Sequence, residues 1–194
     1  EHLGYAYAPG VRKSTFPDYV LLLGAYWKRT VPWPLDSHRL VVLGFPHFVR
    51  NRDRVGPIQR SNRAVFLSQG SIGHHLSRFA AQLADVDDRG IHIVYKLHRG
   101  EVAGWRAAYP WLLASQKAGK LTVIDGSSPP LYELLASARW QLGVNSTAIF
   151  EGIGLGCSTY LVDLPGIEYM DPLIQAGAAR VVSDPTEVDW SVSD

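Results

Sequence analysis

Lys96, His98 and Arg99 place three potential cations within four residues, in the run Lys96-Leu97-His98-Arg99-Gly100-Glu101. Such a cluster can neutralise a diphosphate, and an imidazole, which exchanges its proton near neutral pH, can also protonate a departing phosphate. His98 is therefore the candidate catalytic residue, with Lys96 and Arg99 as phosphate ligands beside it. A second candidate grip lies in GVNSTAIFEGIGLGC, Gly143 to Cys157. Asn145, Ser146 and Thr147 are residue types that start helices, and the first turn of a helix leaves N–H groups unpaired and partly positive. An anion fits there. Glu151 stands five residues after Ser146 and projects about one helical turn deeper. A carboxylate in that place repels a phosphate but suits the two hydroxyls of a ribose. The same residues also fit an ordinary capped helix with a surface Glu.

For these residues to act together, the fold must bring strand ends to one edge. From Ala64 onward, short apolar runs alternate with helical segments, the pattern of an α/β doubly wound parallel sheet. Strands are expected at Ala64–Leu67, Ile91–Leu97, Leu121–Ile124, Trp140–Val144, Ser158–Val162 and Arg180–Val182, six in all. Between them, Ile72, Leu76, Phe79, Ala80 and Leu83 recur at helical spacing, and Glu101 to Lys117 makes a Trp-rich helix interrupted at Pro110. Leu131, Leu134, Leu135 and Ala138 form the stripe of a third helix, and Asp171 to Ala176 a further short one. In such a sheet, ligands bind outside the carboxyl ends of the strands. That adds Ser68, Gln69 and Gly70, small or polar residues where backbone can approach a ligand, and Asp125, placed to border a nucleobase. His74 and His75 fall on the outer face of a helix and read as surface residues.

Upstream, Tyr19–Leu23 and Arg39–Gly44 read as buried strands. Ala25–Arg29 is a short helix between them, and Pro32-Trp33-Pro34 is a break. Val49–Arg63 carries five arginines and almost nothing apolar, which reads as a solvated linker. No aromatics are interleaved for stacking on bases, so no nucleic-acid partner is expected.

The 194 residues carry 19 basic and 18 acidic side chains, a net charge of +1, so no global electrostatic partner is implied. One cysteine, Cys157, allows no internal disulfide and fits a reducing compartment. No apolar run approaches the ~20 residues of a membrane span, and no signal peptide is recognisable. The chain opens at Glu1 in mid-pattern, which reads as a piece of something longer. Gly152, Gly154 and Gly156 follow a helix instead of opening one, so GIGLG reads as close packing and a helix end rather than a dinucleotide fingerprint. The histidines and Cys157 show no metal-ligand spacing, and neither a Walker loop nor a GxSxG elbow is found.

In this order the pieces resemble the C-terminal, donor-binding half of GT-B glycosyltransferases. The resemblance is to those building bacterial capsules and surface polysaccharides, near the sialyltransferase, polysialyltransferase and CDP-glycerol glycerophosphotransferase groups. Those families carry a His-Pro element after a strand and a later Ser-rich element at a helix start, both holding donor phosphates. Tyr95 to Glu101 matches the first with Arg99 in place of the proline, and Asn145 to Glu151 matches the second. Ser146 and Glu151 are also similar to the Ser-Gly-Gly element and ribose-binding Glu of UDP-N-acetylglucosamine 2-epimerases, although Thr147-Ala148 replaces the glycines.

The resemblance implies a Rossmann-like domain at 64–194 that binds a CMP-, CDP- or UDP-linked sugar without a cofactor or metal. An Arg-rich linker at 49–63 and a remnant of the N-terminal GT-B domain at 1–48 would precede it. It further implies a glycan acceptor, a missing N-terminal domain as partner, and a cytoplasmic location with room for peripheral attachment at the inner membrane face. An epimerase-like enzyme and a non-catalytic nucleotide-binding module are the alternatives.

Overall fold

The computed structural model describes residues 17–31 and 33–191; the Gly-, Pro- and Tyr-rich opening and Pro32 of the expected break lie outside the described residues. The chain divides between Asp53 and Arg54 into two compact units.

In the first unit, β1 (Val20–Leu22) and β2 (Leu40–Val42) pair in parallel, with Val20 opposite Leu40, and α1 (Ala25–Thr30) lies between them in sequence. Leu22 and Leu40 are buried, and Lys28 Nζ donates to the Leu40 carbonyl at 2.8 Å. The helix α2 (Pro46–Val55) begins on a proline, which loses no hydrogen bond in a first helical turn. It takes up the first part of the Arg-rich stretch, and the next strand begins at Ser61, so only residues 56–60 are irregular there.

The second unit holds β3 (Ser61–Leu67), α3 (Gly73–Val86), β4 (His92–Lys96), α4 (Trp105–Ala108), α5 (Pro110–Lys117) and β5 (Thr122–Ile124). After them come α6 (Leu131–Ala136), β6 (Ala138–Gly143), α7 (Thr147–Gly154), β7 (Ser158–Val162), α8 (Asp171–Gln175) and β8 (Arg180–Val182). The six strands form one parallel sheet in the order β5-β4-β3-β6-β7-β8. This is the order of a doubly wound Rossmann-like fold, and the direction of winding reverses between β3 and β6. All six expected strands are present. Ala138 is a correction: it opens β6 instead of closing the stripe of α6, because that helix ends at Ala136 and Ser137 alone separates it from the strand.

Both faces of the sheet are covered, which is why the strands read as continuous apolar runs. Ala64, Phe66, Ile93, Tyr95, Trp140 and Leu142 face the buried stripe of α3, where Leu76, Phe79, Ala80 and Leu83 lie at helical spacing. Val65, Leu67, Val94 and Leu161 face the other way, against Leu134 and Leu135 of α6 and Ile149 of α7. Each such large apolar side chain, fully buried, contributes about 1.5–3 kcal/mol. Trp190 returns to the first face and meets Trp140 edge-on, with ring centroids 5.1 Å apart.

The GIGLG segment is a packing and capping device. Cys157 N donates to the Gly152 carbonyl and Gly156 N to the Ile153 carbonyl, both at 2.8 Å, with Gly156 at φ +82°. That is a helix end closed through a left-handed residue, the geometry glycine adopts at least cost. Arg60 donates from its guanidinium to the carbonyls of Leu155 and Gly156, in the turn that closes α7. Among the described residues, no helix is long and apolar enough to cross a membrane.

Candidate functional site

Because the sheet is parallel, the carboxyl ends of β3, β4, β5 and β6 open on one edge, and the last residue of β4, Lys96, and the segments that follow these strands carry every candidate residue except Glu151. The neighbours at the reversal point are the loop after β3 and the loop after β6. Gln69, half-buried, accepts the Asn145 N–H through Oε1 at 3.1 Å and donates through Nε2 to Asn145 Oδ1. The reversal point is therefore spanned by an amide pair. Gly70 beside it is exposed, and a Cβ there would find only Glu101 Cγ, at 4.0 Å, so packing does not demand the glycine. Backbone is free to approach a ligand at that point.

Past Asn145 the chain enters α7. Ser146 sits in extended conformation at the N-cap, and its hydroxyl accepts the Ala148 N–H at 3.3 Å. Thr147 is the exposed first residue of the helix. The positive end of α7 thus faces the edge of the sheet at the reversal point, where the polarity of a helix favours an anion.

On the other side of β3, the segment after β4 presents the cations. Lys96 is half-buried, and its Nζ donates to the Gly126 carbonyl in the loop after β5. Burial lowers its ammonium below the ordinary lysine range, nearby Arg99 lowers it further, and Asp125 opposes both. His98 and Arg99 are exposed. His98 caps the 3-10 turn Arg99–Glu101, with Nδ1 accepting the Gly100 N–H at 3.2 Å. A ring nitrogen that accepts carries no proton, so in the neutral ring the proton sits on Nε2. Nε2–H is then available as a donor to an incoming oxygen. β4 and β6 flank β3, so their tips stand two strand spacings apart, roughly 10 Å.

Beneath this surface lies a buried polar group that sequence reasoning missed. Glu101 is buried and accepts from three donors: Ser68 Oγ at 2.9 Å, Tyr109 Oη at 2.7 Å and the His98 N–H at 2.8 Å. Ser68, expected to face a ligand, is instead buried, with its Oγ also 2.8 Å from Tyr95 Oη. Since the Ser68 proton goes to the carboxylate, Tyr95 is the donor in that pair. Burial, foremost, holds both tyrosine hydroxyls far above the usual phenol range, so they remain donors. Gly73 packs against this group, and a Cβ there would fall 2.0 Å from Glu101 Oε1. The signal available in the sequence was small: an acid three residues after His98, at the capping-box position.

Two other candidates have protein partners. Asp125 accepts from Arg106 at 2.9 Å and from Trp105 Nε1 at 3.3 Å, and these two bonds, the Trp105 one first, hold its carboxyl below the ordinary range. Glu151 is buried on α7 and accepts from the Tyr132 hydroxyl of α6 at 2.7 Å. The histidines His74 and His75 are exposed on α3, with His74 edge-on to Trp111. Cys157 is buried against the Leu135 carbonyl, and burial pushes its thiol up to about 12, far from a reactive thiolate.

No protein-family model and no curated protein matches the chain. Solved structures do. The glycosyltransferase of kitacinnamycin aligns over 96% of this chain and 48% of its own, with 18% identity and a TM-score of 0.55. The C-terminal CMP-Kdo binding domain of WaaA from Acinetobacter baumannii aligns over 73% of this chain and 82% of its own, with 11% identity and a TM-score of 0.45. WaaG, a glycosyltransferase of lipopolysaccharide biosynthesis, aligns over 84% of this chain and 48% of its own, with 14% identity and a TM-score of 0.47. What the chain shares with the first of these is the fold, a Rossmann-like α/β half of the GT-B kind, and it spans about half that protein's length.

Proposed function

We propose that residues 64–194 are the donor-binding part of a GT-B glycosyltransferase that makes a bacterial capsule or other surface polysaccharide. In this reading the Arg-rich stretch 49–63, of which only residues 56–60 are irregular, joins this part to 1–48, which belongs to the N-terminal domain. The observation that carries it is the pairing of two anion grips at the tips of β6 and β4, on either side of β3: the start of α7 with Ser146 and Thr147, and the end of β4 and the turn after it with Lys96, His98 and Arg99. The fold shared with the kitacinnamycin glycosyltransferase supports the same assignment.

The grips differ in kind, and each has a role. The α7 terminus supplies fixed N–H groups and the Ser146 and Thr147 hydroxyls, which meet a phosphate without reorganising. His98 offers Nε2–H toward the bond that breaks between sugar and nucleotide, where negative charge builds on the leaving phosphate. Preplaced donors at the point of developing charge are the strongest single contribution a site of this type makes. Arg99, exposed and always charged, adds long-range attraction for the dianionic donor. Glu151 takes the ribose, with Tyr132 holding its carboxylate in place. Asp125, tied to Arg106, forms a wall beside the base. In this scheme no divalent ion is needed, and the acceptor and general base come from the other domain.

The test is a thermal-shift comparison of CMP, CDP, UDP and GDP, since a ligand bound only by the folded chain raises its melting temperature by mass action. A pyrimidine nucleotide is expected to stabilise the protein, and the absence of a shift with all four would overturn the assignment. With the full-length protein, labelled nucleotide sugars separate transfer to an acceptor from C2 inversion and from binding alone.

A further inference from the structure

Glu101 is unused by the scheme above, yet it accepts hydrogen bonds from three separate segments at the edge of the sheet. Its Oε2 holds the main chain of His98, and its Oε1 holds Ser68 of the loop after β3 and Tyr109 at the head of α5. We propose that Glu101 is a positioning residue for the phosphate grip: it fixes the turn in which the Gly100 N–H meets His98 Nδ1 and so keeps the His98 Nε2–H turned out toward the donor phosphate. This deepens the reading of His98 given above and rests on it.

The geometry favours this over plain core filling. A buried carboxylate is costly unless its lone pairs are satisfied, and an apolar residue would fill the space more cheaply. What the carboxylate adds is direction. It has two oxygens that only accept, and here they face three donors, the farthest of them 33 residues from Glu101 along the chain. Tyr95, behind Ser68, orients the serine proton toward Glu101. Gly73 leaves the space that the carboxylate occupies, since any side chain at that position would meet Glu101 Oε1 or the Tyr109 hydroxyl. The turn Arg99–Glu101 closes reciprocally, with Glu101 on the His98 N–H and His98 Nδ1 on the Gly100 N–H. Releasing one side releases the other, and the ring then loses the contact that sets its tautomer.

Three quantities test the proposal: melting temperature and CDP affinity, measured on the parent, Glu101→Ala, Glu101→Gln and His98→Ala, and the nitrogen chemical shifts of the His98 ring, measured on the parent and the two Glu101 variants. In the parent protein the ring is expected to show one neutral tautomer, protonated at Nε2. Glu101→Ala should give an averaged pair of tautomers and about tenfold weaker CDP binding, the size of a lost charge-assisted hydrogen bond. Adding His98→Ala to Glu101→Ala should then cost little more, because the first change acts through the second residue. Glu101→Gln should restore the tautomer, since the amide oxygen can keep the His98 N–H while the Ser68 and Tyr109 hydroxyls rotate to accept. Where Glu101→Ala fails to fold, Glu101→Asp reads the same quantities, keeping the charge but lacking the reach to hold both segments.

An unchanged His98 ring in a folded Glu101→Ala or Glu101→Asp protein overturns the proposal, as does full additivity with His98→Ala. If His98→Ala itself leaves CDP affinity intact, the phosphate role of His98 falls. The tautomer result then decides what Glu101 does to the ring independently of any ligand.

Discussion

Gln69 and Asn145 clasp each other across the point where the sheet reverses its winding, with Gln69 Oε1 on the Asn145 N–H at 3.1 Å and Gln69 Nε2 on Asn145 Oδ1. Asn145 is braced from behind as well: Gly166, at φ +101°, lies so close that a Cβ on it would fall 2.2 Å from Asn145 Nδ2. The loops after β3, β6 and β7 are thereby held in register, and Ser146, the next residue, is aimed by that brace.

Gln69→Glu keeps the size of the side chain but removes the donor to Asn145 Oδ1 and places a negative charge beside the start of α7. Affinity for CDP should fall by roughly 1 kcal/mol or more, as expected of a like charge a few ångströms away in partly solvated surroundings. Affinity for cytidine, which has no phosphate, should change much less. Equal losses for nucleotide and nucleoside in calorimetric titration would show that Gln69 lies far from the phosphates.

The six-stranded sheet was legible in the sequence because its strands are buried on both faces and leave unbroken apolar runs between helical repeats. Ala138 was misplaced for a local reason. Helix α6 passes into β6 through Ser137 with no Gly or Pro to mark the change, so an apolar residue in helical phase with Leu131 and Leu134 reads as more helix. Glu101 was hidden because an acid beside Arg99 reads as a solvated charge. Its burial depends on Ser68 and Tyr109, 33 and 8 residues away, meeting at the same carboxylate. Arg60 was hidden in the same way. In an Arg-rich stretch it looks like solvent-facing charge, while its partners are the Leu155 and Gly156 carbonyls, 95 and 96 residues along the chain.

Gly152 was read as a close-packing residue, and the structure supplies its neighbour. A Cβ at Gly152 would fall 1.9 Å from Oε1 of Gln141, a fully buried residue whose amide donates to the Ile149 carbonyl and to Thr159 Oγ1, both at 2.8 Å. Gln141 cannot withdraw without breaking those bonds. Gly152→Ala should therefore destabilise the fold by about 1–3 kcal/mol, as overpacking does, despite the higher helix propensity of alanine. Chemical denaturation that finds the variant as stable as the parent would show that α7 can lift from the sheet at no cost.

Under the proposed function, phosphate neutralisation falls to Lys96, His98, Arg99 and the α7 terminus, and sugar transfer should then survive chelation. Turnover that stops in EDTA and returns only with magnesium or manganese would mean that an ion carries the charge these residues are credited with.

Glu151 gives the sharpest test, because two chemistries forecast opposite results and its place in the fold limits the explanations. It is buried on α7, with the Tyr132 hydroxyl donating to its Oε1 at 2.7 Å. Glu151→Gln keeps that bond through the amide oxygen, so a binding change reports the lost charge rather than a collapsed side chain; Tyr132→Phe checks this by removing the bond alone. If Glu151 accepts from the ribose 2′ and 3′ hydroxyls, Glu151→Gln should weaken ribonucleotide binding by roughly 1–2 kcal/mol, about the difference between a charge-assisted and a neutral hydrogen bond. The 2′-deoxynucleotide should lose less, since one hydroxyl is already gone. If Glu151 is only a buried helix residue near the phosphate seat, removing its negative charge should leave both affinities unchanged or raise them together. A cycle of Glu or Gln against ribose or deoxyribose isolates the interaction. A coupling energy of zero would remove Glu151 from the sugar contact and leave it, with Tyr132, as a hydrogen-bonded tie between α6 and α7.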